Sequence, residues 1–338
     1  MQLFKVLSLF LGVFLIACEP ASRPNIHFYH WKGAFQVDSV EQAFLKKVNS
    51  KKLYLRFFDV DYQVEQGAVP IGITRINDSL SYQFDEIVAT IFITNRTMIQ
   101  IPSDKIPDLA QKITKKIFSQ GKKLPVKGIQ LDCDWSEQSQ RNYFMLCTEI
   151  RKICKSKNIE LSATIRLHQY KYAHQTGIPP IDRGVLMLYN VGDIDGRNTQ
   201  NSILDLKIVS SYLSDTESYP IHLDVAIPIF SWAVVQRMGK TVNLLSQISF
   251  QELETNKHIK KIQKNLYKIT ENHYFGGVYL YEDDFLRWED ISIELLESLC
   301  KEVSKHIKAK ELIFYHLESK FFKHYEIQKL TNLANYWL

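Results

Sequence analysis

The sequence predicts an α/β fold closed as a (β/α)8 barrel, and three observations lead there. Apolar strand-like runs recur between helical patterns along residues 25–310, with no internal repeat, low-complexity tract or Pro/Gly-rich linker to divide them. Eight such runs can be counted, the number that closes a barrel of parallel strands. The chain of 338 residues, 45% hydrophobic and 12% aromatic, is also long and apolar enough to bury one large core.

The runs, in order, are 26-IHFYHW-31, 53-LYLRFFD-59, 86-EIVATIFIT-94, 128-GIQLDCD-134, 159-IELSATIRL-167, 184-GVLMLYN-190, 221-IHLDVAIPI-229 and 276-GGVYLYE-282. Helical spacing fills most of the gaps. Residues 103–120 carry Pro107 near their start, and residues 137–157 place Phe144, Leu146, Ile150 and Ile153 at three-to-four intervals. The gap 60–85 instead reads as a hairpin or irregular loop, which makes the second unit irregular. The connection 232–275 is a long insertion before the last strand, and its charged stretch 251–272 suggests an extra helix. A TIM barrel over residues 26–310 follows. Residues 311–338 read as a C-terminal helical extension packed on it through Phe314, Leu317, Phe321 and Tyr325.

The N-terminus has its own logic. Lys5, an apolar run from Val6 to Ala17 and then Cys18 form a secretory signal, too short for a stable membrane span. The stretch 15-LIAC-18 resembles the bacterial lipobox, so residues 1–17 are expected to be removed as a lipoprotein signal peptide. Cys18 is then the lipidation site, and residues 18–25 form a short tether. Glu19 stands where an inner-membrane retention signal would have Asp, which points to the outer membrane of a bacterial cell envelope.

The formal charge of +5 comes from 42 basic and 37 acidic residues without a block of one sign, so nucleic acid is not an expected partner. Cys133, Cys147, Cys154 and Cys300 match neither a disulfide framework nor a zinc site. His27 and His30 face opposite sides of a strand. With no H-E-x-x-H, G-x-S-x-G, P-loop or G-x-G-x-x-G, neither a metal nor a cofactor is expected. No feature names a protein partner.

Alternation along a barrel strand shows which side chains face the axis. Ile129, Leu131 and Cys133 suit the helix-facing side, which turns Gln130, Asp132 and Asp134 inward. The fifth run likewise turns Ser162, Thr164, Arg166 and His168 inward, and the seventh His222, Asp224, Ala226 and Pro228. Arg166 is therefore expected to pair with Asp132, Asp134 or Asp224, because an unpaired ion there would cost several kcal/mol. Barrel active sites form at the C-terminal strand ends, where Asp134, His168, Asn190 and Glu282 fall. Trp31, Trp135, Tyr189, Trp232, Tyr281 and Trp288 are aromatics at such ends that could stack on sugar faces.

These residues resemble the chitinase-like glycoside hydrolase family 18. Its fourth-strand motif is D-G-x-D-x-D-x-E, here met by 128-GIQLDCDW-135; its sixth-strand M-x-Y-[DN] is met by Met187, Tyr189 and Asn190. The family's seventh-strand apolar run into Pro and an aromatic is met by 225-VAIPIF-230, and its eighth-strand glycines by Gly276 and Gly277, with Tyr281 in place of a Trp. Matched on D-x-D-W, the family's general acid falls on Ser136, whose hydroxyl is too weak an acid for that role. With Asp132 and Asp134 at the centre of the site, Asp134 would then orient substrate with support from Tyr189, and the proton donor would be missing or displaced to Glu137, Glu282, Asp283, Asp59 or Asp61. The resemblance implies an oligosaccharide or polysaccharide ligand, bound or hydrolysed at the top of the barrel. A non-catalytic envelope scaffold using the barrel as a rigid body remains the alternative.

Overall fold

The computed structural model describes residues 23–76, 82–196, 199–214, 216, 218–322 and 324–338. The expected signal segment and Cys18 lie outside the described residues. Eight parallel strands form the barrel: β1 (Asn25–His30), β2 (Lys52–Gln63), β3 (Glu86–Ile93), β4 (Val126–Asp132), β5 (Glu160–Ile165), β6 (Arg183–Met187), β7 (Leu223–Pro228) and β8 (Glu311–Tyr315). Each pairs with its sequence neighbours, and β1 closes the ring by pairing with both β8 and β2. The C-terminal ends of all eight strands therefore share one rim.

The eighth strand corrects the sequence reading. Gly276–Glu282 does not enter the barrel: His273–Phe275 and Val278–Leu280 pair with each other as an antiparallel hairpin. The closing strand is instead Glu311–Tyr315, the start of the segment expected to be a helical extension; short helices follow it at Ser319–Phe322 and Ile327–Asn332. Phe314 accordingly packs as a barrel residue with no exposure.

The insertion between β7 and β8 is a unit of antiparallel strands. Trp232–Arg237, Lys240–Leu245, Ile259–Lys261, Leu266–Ile269 and Phe285–Glu289 form one sheet around a small core that includes Val235, Leu253, Tyr267 and Leu286. Where a helix over 251–272 was expected, only Phe250–Thr255 is helical. The irregular second unit is a hairpin, since β2 runs long and pairs antiparallel with Gly67–Ile71.

Helices Ile106–Gln120 and Glu137–Ser156 cover the outside of the barrel, burying Ile113, Ile117, Leu146 and Ile150 among others. Inside, polar side chains are satisfied in layers. Tyr29 Oη donates to Gln130 at 2.7 Å, and Gln130 reaches Ser162 at 3.4 Å.

At the N-terminal rim, the first residues of several strands meet as ions. Lys52 reaches Glu86 at 2.9 Å and Glu311 at 3.0 Å, and Arg183 holds Glu311 at 3.1 Å and also Asp224. Burial would push the Glu311 carboxyl up, but Lys52 and Arg183 beside it hold it below its ordinary range.

Candidate functional site

The expected top-rim carboxylates sit at and just beyond the end of β4. Asp132 is the last residue of the strand and accepts a hydrogen bond from Thr164 Oγ1 on β5 at 2.7 Å. Asp134 lies past the strand end and is gripped by Arg166 through two bonds, Nε to Oδ1 at 2.5 Å and Nη2 to Oδ2 at 2.9 Å. Of the three partners expected for Arg166, Asp134 is the one it takes. Burial pushes the Asp132 carboxyl up to about 6; the Thr164 bond opposes this, and the Asp134 charge adds to it.

Aromatic rings floor the rest of this rim. Tyr315, at the end of β8, stacks on Tyr189 with centroids 4.8 Å apart and also touches Tyr29, Trp31 and Phe230. Phe230 in turn meets Trp232 at 5.3 Å. Burial raises the phenol pKa values of Tyr29, Tyr189 and Tyr315 well above ordinary, and Asp132 contributes to each, so these hydroxyls stay protonated. Arg56 lies over the Trp31 ring at 5.9 Å while gripping Asp59 through two bonds. Gly72, at a φ of 55°, makes that possible, because a Cβ there would run into the Arg56 guanidinium.

At this rim, among the ends of β1, β6, β7 and β8, opens a cavity of about 530 Å³. Trp31, Phe230, Trp232 and Tyr315 give it aromatic walls, Asn190 and Gln247 supply amides, and Lys32, Lys320 and Glu318 supply charge. Trp232 is held by its Nε1 donating to Glu289 at 2.8 Å. His316, also in the wall, is kept neutral by burial, its pKa pushed down to about 3. Asn190 occupies a left-handed conformation at a φ of 54°, which Asn tolerates better than most residues. Asp132 and Asp134 do not line this cavity.

Other expected site residues fall elsewhere. Trp135 is 2% exposed, stacked on Tyr143 and donating to Thr176 O at 2.9 Å, so it is a packing residue with no face for a sugar. Asp224 does point inward, but at the opposite end of the barrel, where it also accepts from the Lys310 and Glu311 amides. Glu282 is exposed in the insertion, and Tyr281 lies there under Arg237, 4.2 Å from guanidinium to ring centroid. Both left the rim because the hairpin replaced the expected strand, and Trp288 lies on the insertion's last strand, Phe285–Glu289. Of the alternative acids, Asp59 is taken by Arg56, Asp61 by Arg96 and Asp283 by Lys268.

Ser136 is the N-cap of the helix Glu137–Ser156, its amide donating to Ser139 Oγ at 2.8 Å. Glu137 opens that helix, exposed, where a carboxylate favours the helix dipole. His168 lies just beyond β5; burial lowers its pKa while the nearby Asp134 charge opposes that. Tyr315 is among the candidate-site residues that sequence reasoning missed, with Lys32, Gln247, His316, Glu318 and Lys320. The signal for Tyr315 was the alternation in 311-ELIFY-315, read together with the helices that follow it.

The backbone has known counterparts. They are chitinases and a spore cortex-lytic enzyme. The Group IV chitinase of Ostrinia furnacalis, solved in complex with allosamidin, matches with a TM-score of 0.55 at 10% identity, over 92% of this chain and 98% of that one. A glycoside hydrolase family 18 chitinase from the chitin utilization locus of Flavobacterium johnsoniae matches at 0.52 and 11% identity, over 92% and 94%. The spore cortex-lytic enzyme SleL of Bacillus cereus matches at 0.52 and 12% identity, over 93% and 74%. At such identities the likeness is one of fold. No family model and no curated protein matches the sequence.

Proposed function

We propose that this chain is a glycan-binding barrel, anchored through lipid on Cys18 to the outer membrane of a bacterial envelope, in which hydrolysis has been switched off. The observation that carries the reading is the two-bond pair between Asp134 and Arg166. Counted from Gly128 instead of from D-x-D-W, the motif D-G-x-D-x-D-x-E places its last Asp on Asp132 and its Glu on Asp134. That register suits the structure better, because Gln130, Asp132 and Asp134 share the period-two spacing of inward positions while Ser136 caps a helix. The acid position then carries a shorter carboxylate, and both its oxygens accept hydrogen bonds from the Arg166 guanidinium. A carboxylate engaged in this way is poorly placed to reach a leaving oxygen.

What remains is suited to recognition. An aromatic-walled cavity with a few amides and charges beside it is the usual composition of a sugar site. Lipid attachment rests on the lipobox-like 15-LIAC-18 and is checked by whether Cys18→Ala leaves the protein in the soluble fraction. The test of function is calorimetry with N-acetylglucosamine oligomers, alongside an assay for newly released reducing ends. Binding without release is expected, with Trp31→Ala losing the binding. Failure to bind or cut any oligosaccharide sinks the reading altogether.

One observation favours hydrolysis instead: Asp132, with a pKa near 6, is a carboxyl that holds its proton closer to neutrality than an ordinary aspartic acid. Release of reducing ends by the wild type, abolished in Asp134→Asn, would establish that second reading.

A further inference from the structure

The two rims of the barrel dispose their charges differently. Toward the C-terminal rim, Arg56, Arg96 and Arg166 each hold an aspartate. At the N-terminal rim, where the chain comes off a helix and enters the next strand, lysines collect instead. Lys46 and Lys47 end the helix Ser39–Lys47, Lys51 directly precedes β2, and Lys122 lies in the connection before β4. Lys157 caps the helix Glu137–Ser156 before β5, and Lys308 lies in the connection before β8. All of them are exposed, and none is ion-paired with a carboxylate among the described residues.

The carboxylates of the same connections are mostly engaged. Asp182 is held by Arg151 at 2.7 Å, Glu302 by Lys305 at 2.6 Å and Glu160 by Arg183 at 3.7 Å; Asp85 is exposed. A helix dipole favours cations in a last turn, which accounts for Lys46 and Lys47. It does not reach Lys51 or Lys308, which stand past the helix ends at Lys47 and Val303. A ring of like charge repels itself, and an anionic surface laid against it turns that repulsion into attraction.

The chain enters the barrel through this same rim, since β1 begins at Asn25. Residues 18–24 alone separate β1 from the lipid proposed on Cys18. An extended chain spans at most about 3.6 Å per residue, so that lipid attaches within about 25 Å of the lysines. The bilayer that holds it therefore faces the N-terminal rim.

We propose that the N-terminal rim is a docking face for anionic phospholipid, which seats the barrel on the bilayer with its cleft turned away. This rests on the lipid-anchoring part of the reading above. The acyl chains supply attachment, and the lysines supply orientation, because charges act on a surface only within about 10 Å.

The experiment is co-sedimentation with vesicles of the chain starting at Glu19, which carries no lipid and keeps all eight strands and every described residue. The vesicles are phosphatidylcholine alone or with about 30% phosphatidylglycerol, at about 0.05 M and about 0.5 M salt. Binding is expected to the anionic vesicles at the lower salt, with none to the neutral ones and none at the higher salt. Each lysine at an anionic surface is worth roughly fivefold in partition, so Lys46→Gln, Lys47→Gln, Lys51→Gln and Lys122→Gln together should weaken binding by at least about a hundredfold. Lys240→Gln, Lys257→Gln, Lys260→Gln and Lys264→Gln, exposed on the insertion at the other end of the barrel, change the net charge equally and should leave binding as it was. No binding of the unsubstituted chain to anionic vesicles overturns the docking face. Equal loss in the two fourfold variants overturns it too, since net charge and not the rim would then be responsible. Preference for a duplex oligonucleotide over the vesicles in direct competition overturns it in favour of nucleic acid. Because the tested chain carries no lipid, a failure here leaves the anchoring of Cys18 standing, and a failure of anchoring leaves this result standing.

Discussion

Replacing Asp132 by asparagine is expected to stabilise the protein near neutral pH, an unusual outcome for a substitution inside a barrel. The folded chain holds the Asp132 proton with a pKa of about 6, against an ordinary 3.8. Between those values the folded state binds more protons than the unfolded state, so this group's contribution to stability is full below about 3.8 and declines as pH rises through about 6. Above that the ionised carboxylate opposes folding by about 3 kcal/mol, at about 1.4 kcal/mol per tenfold change in proton affinity.

Asparagine removes the charge and keeps an oxygen for the Thr164 hydroxyl, so most of this is regained, about 2–3 kcal/mol. The assay is urea unfolding of wild type and Asp132→Asn at about pH 7 and about pH 4, compared at each pH. The gain should be present at the higher pH and shrink toward zero at the lower, where the wild-type carboxyl is already neutral. A variant that loses stability at neutral pH would falsify the reasoning, as would a gain equal at both pH values. The first result would mean that the carboxylate itself ties β4 to β5, and the second that the gain does not come from removing its charge.

The remaining expectations concern the rest of the barrel. Asp224→Asn should cost about 3–5 kcal/mol in unfolding free energy, because Arg183 is left buried with one ionic partner fewer; sugar affinity should be unchanged, since the residue lies at the opposite rim. Deleting residues 311–338 removes β8, so the product should lack a cooperative thermal transition, where a merely docked tail would leave the barrel melting intact. The thiols of Cys133, Cys147, Cys154 and Cys300 are buried, with Cys147 and Cys154 pushed up to about 12 by desolvation. They should stay silent to a thiol reagent until the chain is unfolded by denaturant.

Seven barrel strands were legible because each is an apolar run whose alternation survives burial on both sides. The eighth was misplaced for a physical reason: 276-GGVYLYE-282 alternates as strictly as a barrel strand, and a period of two does not say which sheet the strand joins. The true closing strand, 311-ELIFY-315, is short and runs at once into aromatic residues with helical spacing, so it was absorbed into them. Within the site, the pairing of Arg166 with an aspartate followed from charge and alternation alone. The choice of Asp134 depended on how far the chain travels beyond β4 before its helix begins. Trp135 went astray because its ring turns under that helix, which a residue count along the strand does not reveal.

The position of β8 also fixes an order of events during the life of the chain. Until residue 315 is available, β1 and β7 present two open edges, and the sheet is an unclosed arc exposing backbone groups to any other strand. The last link of the ring is thus synthesised after the other seven strands and the whole insertion. A chain built this way cannot complete its barrel on the ribosome before residue 315 has emerged. Until then it relies on whatever shields open sheet edges.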